Sequence, residues 1–271
     1  MNREEQALRI RIGQILISDM IKAGQFKVPI HLAIGHEWLA VDLCNSMDQD
    51  DKMLLSHRNI AYYLAKTQDL AGLVKSYQNG LYGSMNLIKP ERGIVYTSSI
   101  LGGQFPVAVG VASAFKIAGK HSMTYVLGGD GAIEEGAFYE SLVLAKKLDC
   151  NIAFIIENNG WSMSSNIKSR RERIDLSTLA DSVGVDYDIS NYRKSTQDCS
   201  SISGINLYTC APCVLEVKVD TFGSKNNHYH HGAIDLDIDP EYPVLFEDES
   251  KAWSRELGRE ILKELKMEVG L

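Results

Sequence analysis

Apolar and polar positions recur along this chain with two different periods, which predicts a mixture of helices and strands. Asn2 can cap an N-terminal helix with Glu5 three residues later, and the apolar side chains that follow recur at helical spacing. Helical stretches are also predicted at residues 37–47, 60–65, 70–77 and 105–117. The last of these is small and apolar on every side, which predicts a buried helix.

The middle of the chain has the pattern of a strand, a helix and a second strand. Residues 124–127 and 152–156 are short apolar runs, and residues 134–148 between them are amphipathic. Two parallel strands joined in this way form a right-handed unit. A helix at 179–183, a strand at 214–219 and a tail helix at 253–267 follow.

Repeats, low-complexity tracts and proline-rich linkers are absent from the sequence. We therefore expect residues 1–271 to form a single α/β domain with helical extensions at both ends. Its core should be a doubly wound, mostly parallel sheet with helices on both faces.

Polar residues follow the two central apolar runs. Asp130 comes after the first run and Asn159 after the second, so both should lie at the sheet edge where open α/β sheets bind ligands. Mg²⁺ takes oxygen ligands, and these side chains could supply two, with a backbone carbonyl near Trp161 as a third. The pattern predicts a metal site.

Glycines surround the aspartate. Gly129 and Gly131 allow the backbone to turn sharply and approach a phosphate, and a helix starting near Ile133 would point its positive end there. Glu134 and Glu135 are expected to cap that helix. A Gly-Asp-Gly triplet alone is an ordinary turn, but with the spaced amide it predicts a metal-diphosphate clamp.

Composition is that of a globular enzyme subunit. With 45% hydrophobic residues the chain can bury a large core, and its net charge of -7 argues against nucleic acid as the main partner. The basic cluster at residues 168–173 is the exception, interpreted as a solvated surface loop in preference to a docking site. Neither a membrane span nor a signal peptide is recognisable, so we expect a cytoplasmic protein with no membrane partner.

The cysteines predict a reducing compartment, because there are five of them and they form no scaffold-like pattern. Cys210 and Cys213 have the spacing of a redox or zinc pair, but no second pair completes a site. Two plain thiols at the start of a strand are the favoured interpretation.

The segment from Gly129 to Trp161 resembles the thiamine diphosphate fingerprint. Its wider context, over most of residues 30–165, resembles the alpha subunit of 2-oxo acid dehydrogenases of the pyruvate, branched-chain and acetoin types. The resemblance implies thiamine diphosphate and Mg²⁺ as cofactors. It implies cofactor contacts from Gly129, Asp130, Gly131, Ala132, Asn159 and Trp161, with Asp130, Asn159 and Trp161 also at the metal.

Other segments extend the resemblance. Residues 31–37 are similar to the family's stretch that closes over the active-site channel, and residues 82–87 and 100–106 also match family segments. The resemblance makes His57 a catalytic candidate and gives Arg58 to the diphosphate, where a guanidinium offers two donors. It makes Leu101 the prop for a bent cofactor. From the residues alone, Arg58 fits a surface salt bridge equally well, and Leu101 would be ordinary core.

The chain also departs from the family pattern. Ile60 and Asn86 stand where the family has histidines, which predicts a retuned active site. Residues 221–232 are more similar to a transketolase segment, which makes His231 a candidate for both catalysis and cofactor contact. A surface loop is the alternative for this histidine cluster. A metal site is not favoured, because the cluster has no spaced carboxylate or Cys partner and imidazole suits Zn²⁺ better than Mg²⁺. Ala233 replaces the family's regulatory serine, so phosphorylation control of that kind is not expected.

The resemblance implies an enzyme that decarboxylates a 2-oxo acid and passes the acyl unit on. The glutamate that activates the cofactor should come from a pyrimidine-binding domain on a beta subunit, in an α2β2 complex. A lipoyl acyltransferase would then accept the acyl unit. One alternative is a split transketolase-like or acyloin-forming subunit that transfers a two-carbon unit, with a ketose as substrate, to an aldehyde or sugar. The other is a non-catalytic cofactor-binding scaffold.

Overall fold

The sheet is built from strands that run in one direction. The computed structural model describes residues 1–80, 87–192, 212–223 and 231–271. In this part of the chain six strands form one sheet: β1 Lys52–Leu55, β2 Ile94–Thr97, β3 Thr124–Gly129, β4 Ile152–Asn158, β7 Asp186–Asn191 and β8 Cys213–Lys218. Their order is β2-β1-β3-β4-β8-β7, and every neighbouring pair is parallel. A separate antiparallel hairpin joins β5 Trp161–Ser162 to β6 Ser165–Asn166.

Helices cover both faces of this sheet. They are α1 Arg3–Lys22, α2 Glu37–Ser46, α3 Ile60–Thr67, α4 Leu70–Gln78, α5 Gln104–Ile117, α6 Gly136–Leu148, α7 Ile167–Arg170, α8 Leu176–Val183, α9 Glu249–Ala252 and α10 Arg255–Val269. The Asn2 side chain accepts a 2.8 Å hydrogen bond from the Glu5 backbone N–H, which confirms the predicted cap of α1.

Alternate residues of the strands divide the core in two. Tyr125 and Leu127 of β3 pack with the N-terminal helices and α10, whereas Val126 packs with α5, α6 and α8. The core is divided in this way because successive side chains of a strand point to opposite faces of the sheet. The predicted α/β fold, with a mostly parallel sheet and helices on both faces, is confirmed.

Two expectations about the helices need correction. The helix α5 was expected to be buried on every side, but Val107 is 38% and Ile117 is 86% exposed in this chain. Only one face of α5 is therefore buried. The helix after the aspartate begins at Gly136, since Ala132–Glu134 form a 3₁₀ turn before it. Glu135 occupies the N-cap position of this helix, but its side chain makes no capping hydrogen bond.

A buried ion-pair network fixes the turn that leads into α2. The Arg11 guanidinium, with no exposed surface, lies 2.9 Å from Glu37 and 2.8 Å from Glu249. Glu37 also accepts a 2.8 Å hydrogen bond from the backbone N–H of Gly35. Residues 31–37 are thereby tied to α1 and to the C-terminal region, and they form one wall of the cleft described next.

Among the described residues, none of the helices is long and apolar enough to cross a membrane.

Candidate active site

A cleft of about 280 Å³ lies at the carboxyl ends of β1, β3 and β4. Its walls come from five stretches of the chain that are far apart in sequence. The lining includes His31, His36, Ser56, His57, Arg58, Ser98, Leu101, Gly102, Gln104, Gly129, Gly131, Ala132, Glu157, Asn159, Trp161 and Ser162. Ligands of open α/β sheets bind at this edge, so its position is the expected one.

Asp130 is buried directly beside the cleft, at the end of β3. Only 1% of it is exposed, and burial raises the pKa of its carboxyl group to about 6, with Arg170 opposing the shift. The Arg170 Nη2 atom lies 2.5 Å from Oδ2, whereas Oδ1 is buried without a hydrogen-bond partner. A carboxylate oxygen without a partner in a buried polar site is suited to a hard cation such as Mg²⁺.

Asn159 follows β4 and faces the same cleft. Its Oδ1 accepts a 3.0 Å hydrogen bond from the Trp161 N–H, and its Nδ2 donates to Thr221 Oγ1 at 2.8 Å. Because a carbonyl oxygen has two lone pairs, Oδ1 keeps one for a further ligand. The described residues thus bring the three predicted metal ligands, Asp130, Asn159 and Trp161, to one edge of the sheet.

Two glycines at the end of β3 lie too close to their neighbours to carry a side chain. A Cβ at Gly131 would overlap the Ser162 side chain of the β5–β6 hairpin, and a Cβ at Gly128 would lie 2.5 Å from the Phe105 ring. Glycine is therefore needed for the backbone after β3 to pass close to its neighbours. Gly129, Gly131 and Ala132 line the cleft wall.

Arg58 lies in the cleft wall and not on the outer surface. It is 7% exposed and donates a hydrogen bond to the backbone carbonyl of Leu32. Burial lowers the pKa of its guanidinium to about 10, with Glu157 opposing the shift. The alternative of an exposed surface salt bridge is therefore wrong for Arg58, and its position suits an anionic ligand in the cleft.

Three imidazoles lie close together at the cleft. The ring centroids of His31 and His57 are 4.6 Å apart, and those of His31 and His231 are 5.9 Å apart. His57 lines the cleft, whereas His231 is exposed beside it. The structure places both predicted catalytic histidines next to His31, while their catalytic roles stay predictions.

Sequence reasoning missed a chain of hydrogen-bonded side chains in the wall of the cleft. Glu157 Oε1 lies 2.7 Å from His36 Nδ1 and accepts a 2.7 Å bond from the Tyr62 hydroxyl. His36 Nε2 lies 2.7 Å from Thr221 Oγ1, which also receives the Asn159 amide. Burial, followed by the charge of Glu157, raises the pKa of Tyr62 well above its usual value. The position of Glu157 at the end of β4 was the one available signal.

The proton positions along this chain follow from one fixed donor. The backbone N–H of Trp161 can only donate, so the Asn159 side chain turns its oxygen toward that N–H and its amide nitrogen toward Thr221. The Thr221 hydroxyl can then donate to His36 Nε2, which leaves the His36 Nδ1–H for Glu157. The Asn159 orientation is thus consistent with an oxygen turned toward a metal.

The basic cluster is only partly on the surface. The side chains of Arg170 and Arg171 are each 12% exposed, so the interpretation as a solvated loop is wrong for these two residues. Arg170 Nη1 lies 2.6 Å from Glu134 Oε1, and Arg171 Nη1 lies 3.2 Å from the same oxygen. Glu134 therefore binds arginines instead of capping α6.

The remaining predicted positions lie in different parts of the structure. Leu101 lies at the cleft with 43% of its surface exposed, so it is not core in this chain. Ile60, where the family has a histidine, is fully buried at the start of α3. Residues 82–86, Cys199, Cys210 and the histidines at 228 and 230 lie outside the described residues. Cys213 is a buried free thiol at the start of β8.

In the ranges that the structure describes, no group of three or more His, Cys, Asp or Glu side chains could hold a metal ion. Asparagine and backbone oxygens, which the clamp at Asp130 would use, are of a different kind.

Comparison with known proteins adds a family match. The family described as "Dehydrogenase E1 component" matches residues 8–187. The matched segment contains β1 to β4 and the whole edge around Asp130 and Asn159.

Named relatives share part of the chain. The alpha subunit of acetoin:2,6-dichlorophenolindophenol oxidoreductase from Cupriavidus necator is 32% identical over 144 residues, which is 51% of this chain and 43% of the relative. The pyruvate dehydrogenase E1 component subunit alpha from Rickettsia prowazekii is 27% identical over 198 residues, covering 69% of this chain and 61% of the relative. The chain therefore spans roughly half the length of these relatives.

Solved structures share the fold over nearly all of the chain. A transketolase from Campylobacter jejuni superposes with a TM-score of 0.65 at 18% identity, covering 99% of this chain and 49% of its own. A transketolase from Leishmania mexicana gives a TM-score of 0.64 at 18% identity, with 100% and 46% covered. At this level of identity the match establishes the fold alone.

Proposed function

Because the chain belongs to the dehydrogenase E1 component family, we propose that it is the alpha subunit of a thiamine diphosphate-dependent 2-oxo acid dehydrogenase-type enzyme. The observation that carries this proposal is the edge at Asp130 and Asn159. A buried carboxylate oxygen without a partner, an amide oxygen and a glycine-rich backbone stretch lie there beside a buried arginine. That combination suits Mg²⁺ and a diphosphate.

The residues around the clamp have separate roles in this proposal. Asp130, Asn159 and the Trp161 carbonyl bind Mg²⁺, and the backbone of residues 129–132 approaches the diphosphate closely. Arg58 neutralises phosphate charge from within the wall, because its buried guanidinium has little water to compete with. Leu101, exposed at the cleft, props the cofactor by apolar contact.

When bound, thiamine diphosphate supplies a carbanion-forming thiazolium that decarboxylates a 2-oxo acid. The protein's part is to orient reactants and to hold protons. His57, which lines the cleft, and His231 beside it are the groups that donate or accept protons at the substrate. The walls around His31 and Arg58 exclude water from the reacting atoms.

A beta subunit completes the site in this proposal. The relatives from Cupriavidus necator and Rickettsia prowazekii are named as alpha subunits. Apolar side chains are also exposed along α5 and α6, where Ile117 is 86%, Val143 54% and Leu144 47% exposed. Exposed apolar patches of this kind mark contact surfaces. The partner supplies the glutamate that activates the cofactor, in an α2β2 complex.

A split transketolase-like or acyloin-forming subunit is the second candidate. The observation that favours it is the row of imidazoles from His57 through His31 to His231, which would suit the hydroxyl groups of a sugar or aldehyde acceptor. It uses the same cofactor clamp, so the two candidates differ in the acceptor and in the partners.

Asp130→Asn tests the clamp. We expect it to weaken Mg²⁺-dependent thiamine diphosphate binding by more than about 100-fold, because loss of an outer partner of a metal site alone costs about 10- to 100-fold. Calorimetric titration of the chain with its copurifying partner measures this. Asp149→Asn, at an exposed carboxylate paired with Lys116, is the control. Equal cofactor affinity in Asp130→Asn and wild type would refute the metal-diphosphate site.

A further inference from the structure

Arg170 holds the aspartate of the clamp by one oxygen only. Its Nη2 lies 2.5 Å from Asp130 Oδ2, and Asp130 Oδ1 remains buried without a hydrogen-bond partner. The guanidinium thus leaves free one oxygen of a carboxylate that is 1% exposed. A carboxylate that ligates a metal through one oxygen is usually held through the other.

Arg170 is itself held in place from its other side. Its Nη1 lies 2.6 Å from Glu134 Oε1, and Arg171 contacts the same glutamate oxygen at 3.2 Å. Arg171 also donates to the backbone carbonyl of Asp130 at 3.3 Å. The two arginines follow the β5–β6 hairpin, which begins with Trp161, so they join the Trp161 segment to the end of β3.

Resting on the proposed function, we propose that Arg170 is a positioning residue that turns Asp130 Oδ1 toward the divalent cation. Glu134 anchors Arg170, Arg170 fixes Oδ2, and the rotation of the carboxylate is thereby set before the metal arrives. Arg170 acts through Asp130 and does not itself contact the cation. A fixed ligand loses less freedom when the metal binds, which raises the affinity.

The sign of the mutational effect separates this role from simple electrostatics. Removing a positive charge next to a cation site should by itself strengthen cation binding. Loss of the positioning contact should weaken it, because the carboxylate can then rotate and the hairpin loses its tie to β3. We expect positioning to win, with a loss of about 10- to 100-fold, as is typical of outer partners of metal ligands.

The experiment measures Mn²⁺ affinity by electron paramagnetic resonance in the chain with its copurifying partner, at saturating thiamine diphosphate. Arg170→Gln is expected to weaken Mn²⁺ binding by about 10- to 100-fold. Arg173→Gln is the matched control, because Arg173 carries the same charge on the same segment with 80% of its side chain exposed. Arg170→Lys, which keeps one donor for Asp130, should bind Mn²⁺ more tightly than Arg170→Gln.

Unchanged or tighter Mn²⁺ binding in Arg170→Gln overturns the positioning role. If Arg170→Gln does not fold, Glu134→Gln tests the anchor instead, with a weaker loss expected and no loss contradicting the proposal. Asp130→Asn tests the metal site separately from the role of Arg170. Mn²⁺ binding that survives in Asp130→Asn would refute both the proposed metal site and the inference that rests on it. Binding that needs Asp130 but not Arg170 would overturn the inference alone.

Discussion

At the scale of single residues, burial governs the ionisable groups around the cleft. Asp130 and Arg58 carry opposite charges, yet the pKa of each is shifted toward its neutral form, to about 6 and about 10. Loss of water is the leading cause in both cases, and a nearby opposite charge restores only part of the shift. A metal beside Asp130 and a diphosphate beside Arg58 would add opposite charge and favour the charged form of each group.

The effect of burial on a pKa can be tested at Cys44. Burial raises the pKa of this thiol from 9.0 to about 12, against the opposing charge of Lys66. Only the thiolate is alkylated, so iodoacetamide at about pH 8 should leave Cys44 unmodified in the folded chain and modify it after denaturation. Mass spectrometry of the peptide measures this, and rapid labelling of Cys44 in the native protein would contradict it.

The pKa shift also fixes the sign of a stability effect. Between pH 9 and 12 the unfolded chain releases the Cys44 proton while the folded chain retains it. The free energy of unfolding should therefore fall as pH rises through this window. The Cys44→Ala variant should show a shallower fall over the same range, as measured by urea denaturation.

Sequence reasoning identified the two ends of the clamp but not its support. Asp130 and Asn159 each follow an apolar run, so strand pairing alone brings them together. Arg170 and Asp130 are 40 residues apart, and His36 and Glu157 are 121 apart. No local period links such pairs, because their contact depends on how loops close over the sheet.

At the scale of elements, the long periodic segments were predictable and the short strands were not. The helices α1 to α6 and strands β3, β4 and β8 lie within a few residues of their predicted bounds. The strand β1 has only four residues, and β7 is polar because it lies at the edge of the sheet. The apolar run of β1 is only three residues long and β7 has none, and both fall short of the about four to eight residues by which a strand is recognised.

Gly258 tests how closely α10 packs. A Cβ at this position would overlap the backbone carbonyl of Glu241, which cannot move as a flexible side chain could. Gly258→Ala should lower the free energy of unfolding by about 1–3 kcal/mol, as is typical of overpacking. Thermal or urea denaturation measures the change.

Gly110→Ala is the matched control for that substitution. Gly110 lies within α5, and a Cβ added there would have no atom within 4 Å, so alanine should stabilise the helix by up to about 1 kcal/mol. Equal stability changes at the two positions would show that α10 is free to shift away from Glu241.

At the scale of the whole molecule, the cleft and the exposed faces of α5 and α6 point to an assembly. We expect the tagged chain, purified from its native cells, to bring down a stoichiometric polypeptide with a pyrimidine-binding domain, identified by mass spectrometry. An additional lipoyl acyltransferase would support the dehydrogenase candidate, and its absence the transketolase-like one. A chain that purifies alone would refute the split enzyme.

Two substitutions locate that contact. Val143→Glu changes an exposed apolar residue of α6 and should abolish copurification of the partner. Met267→Glu changes a residue that is 72% exposed on α10, away from that face, and should have no effect.

The strand order has a consequence for synthesis on the ribosome. The strand β8, Cys213–Lys218, lies between β4 and β7, although both of these precede it in the chain. A nascent chain that stops before residue 213 would therefore leave one edge of β4 unpaired and β7 without its neighbouring strand, and such edges are templates for aggregation. Truncated products should be insoluble, and full-length yield should depend on chaperones that shield those edges until β8 emerges.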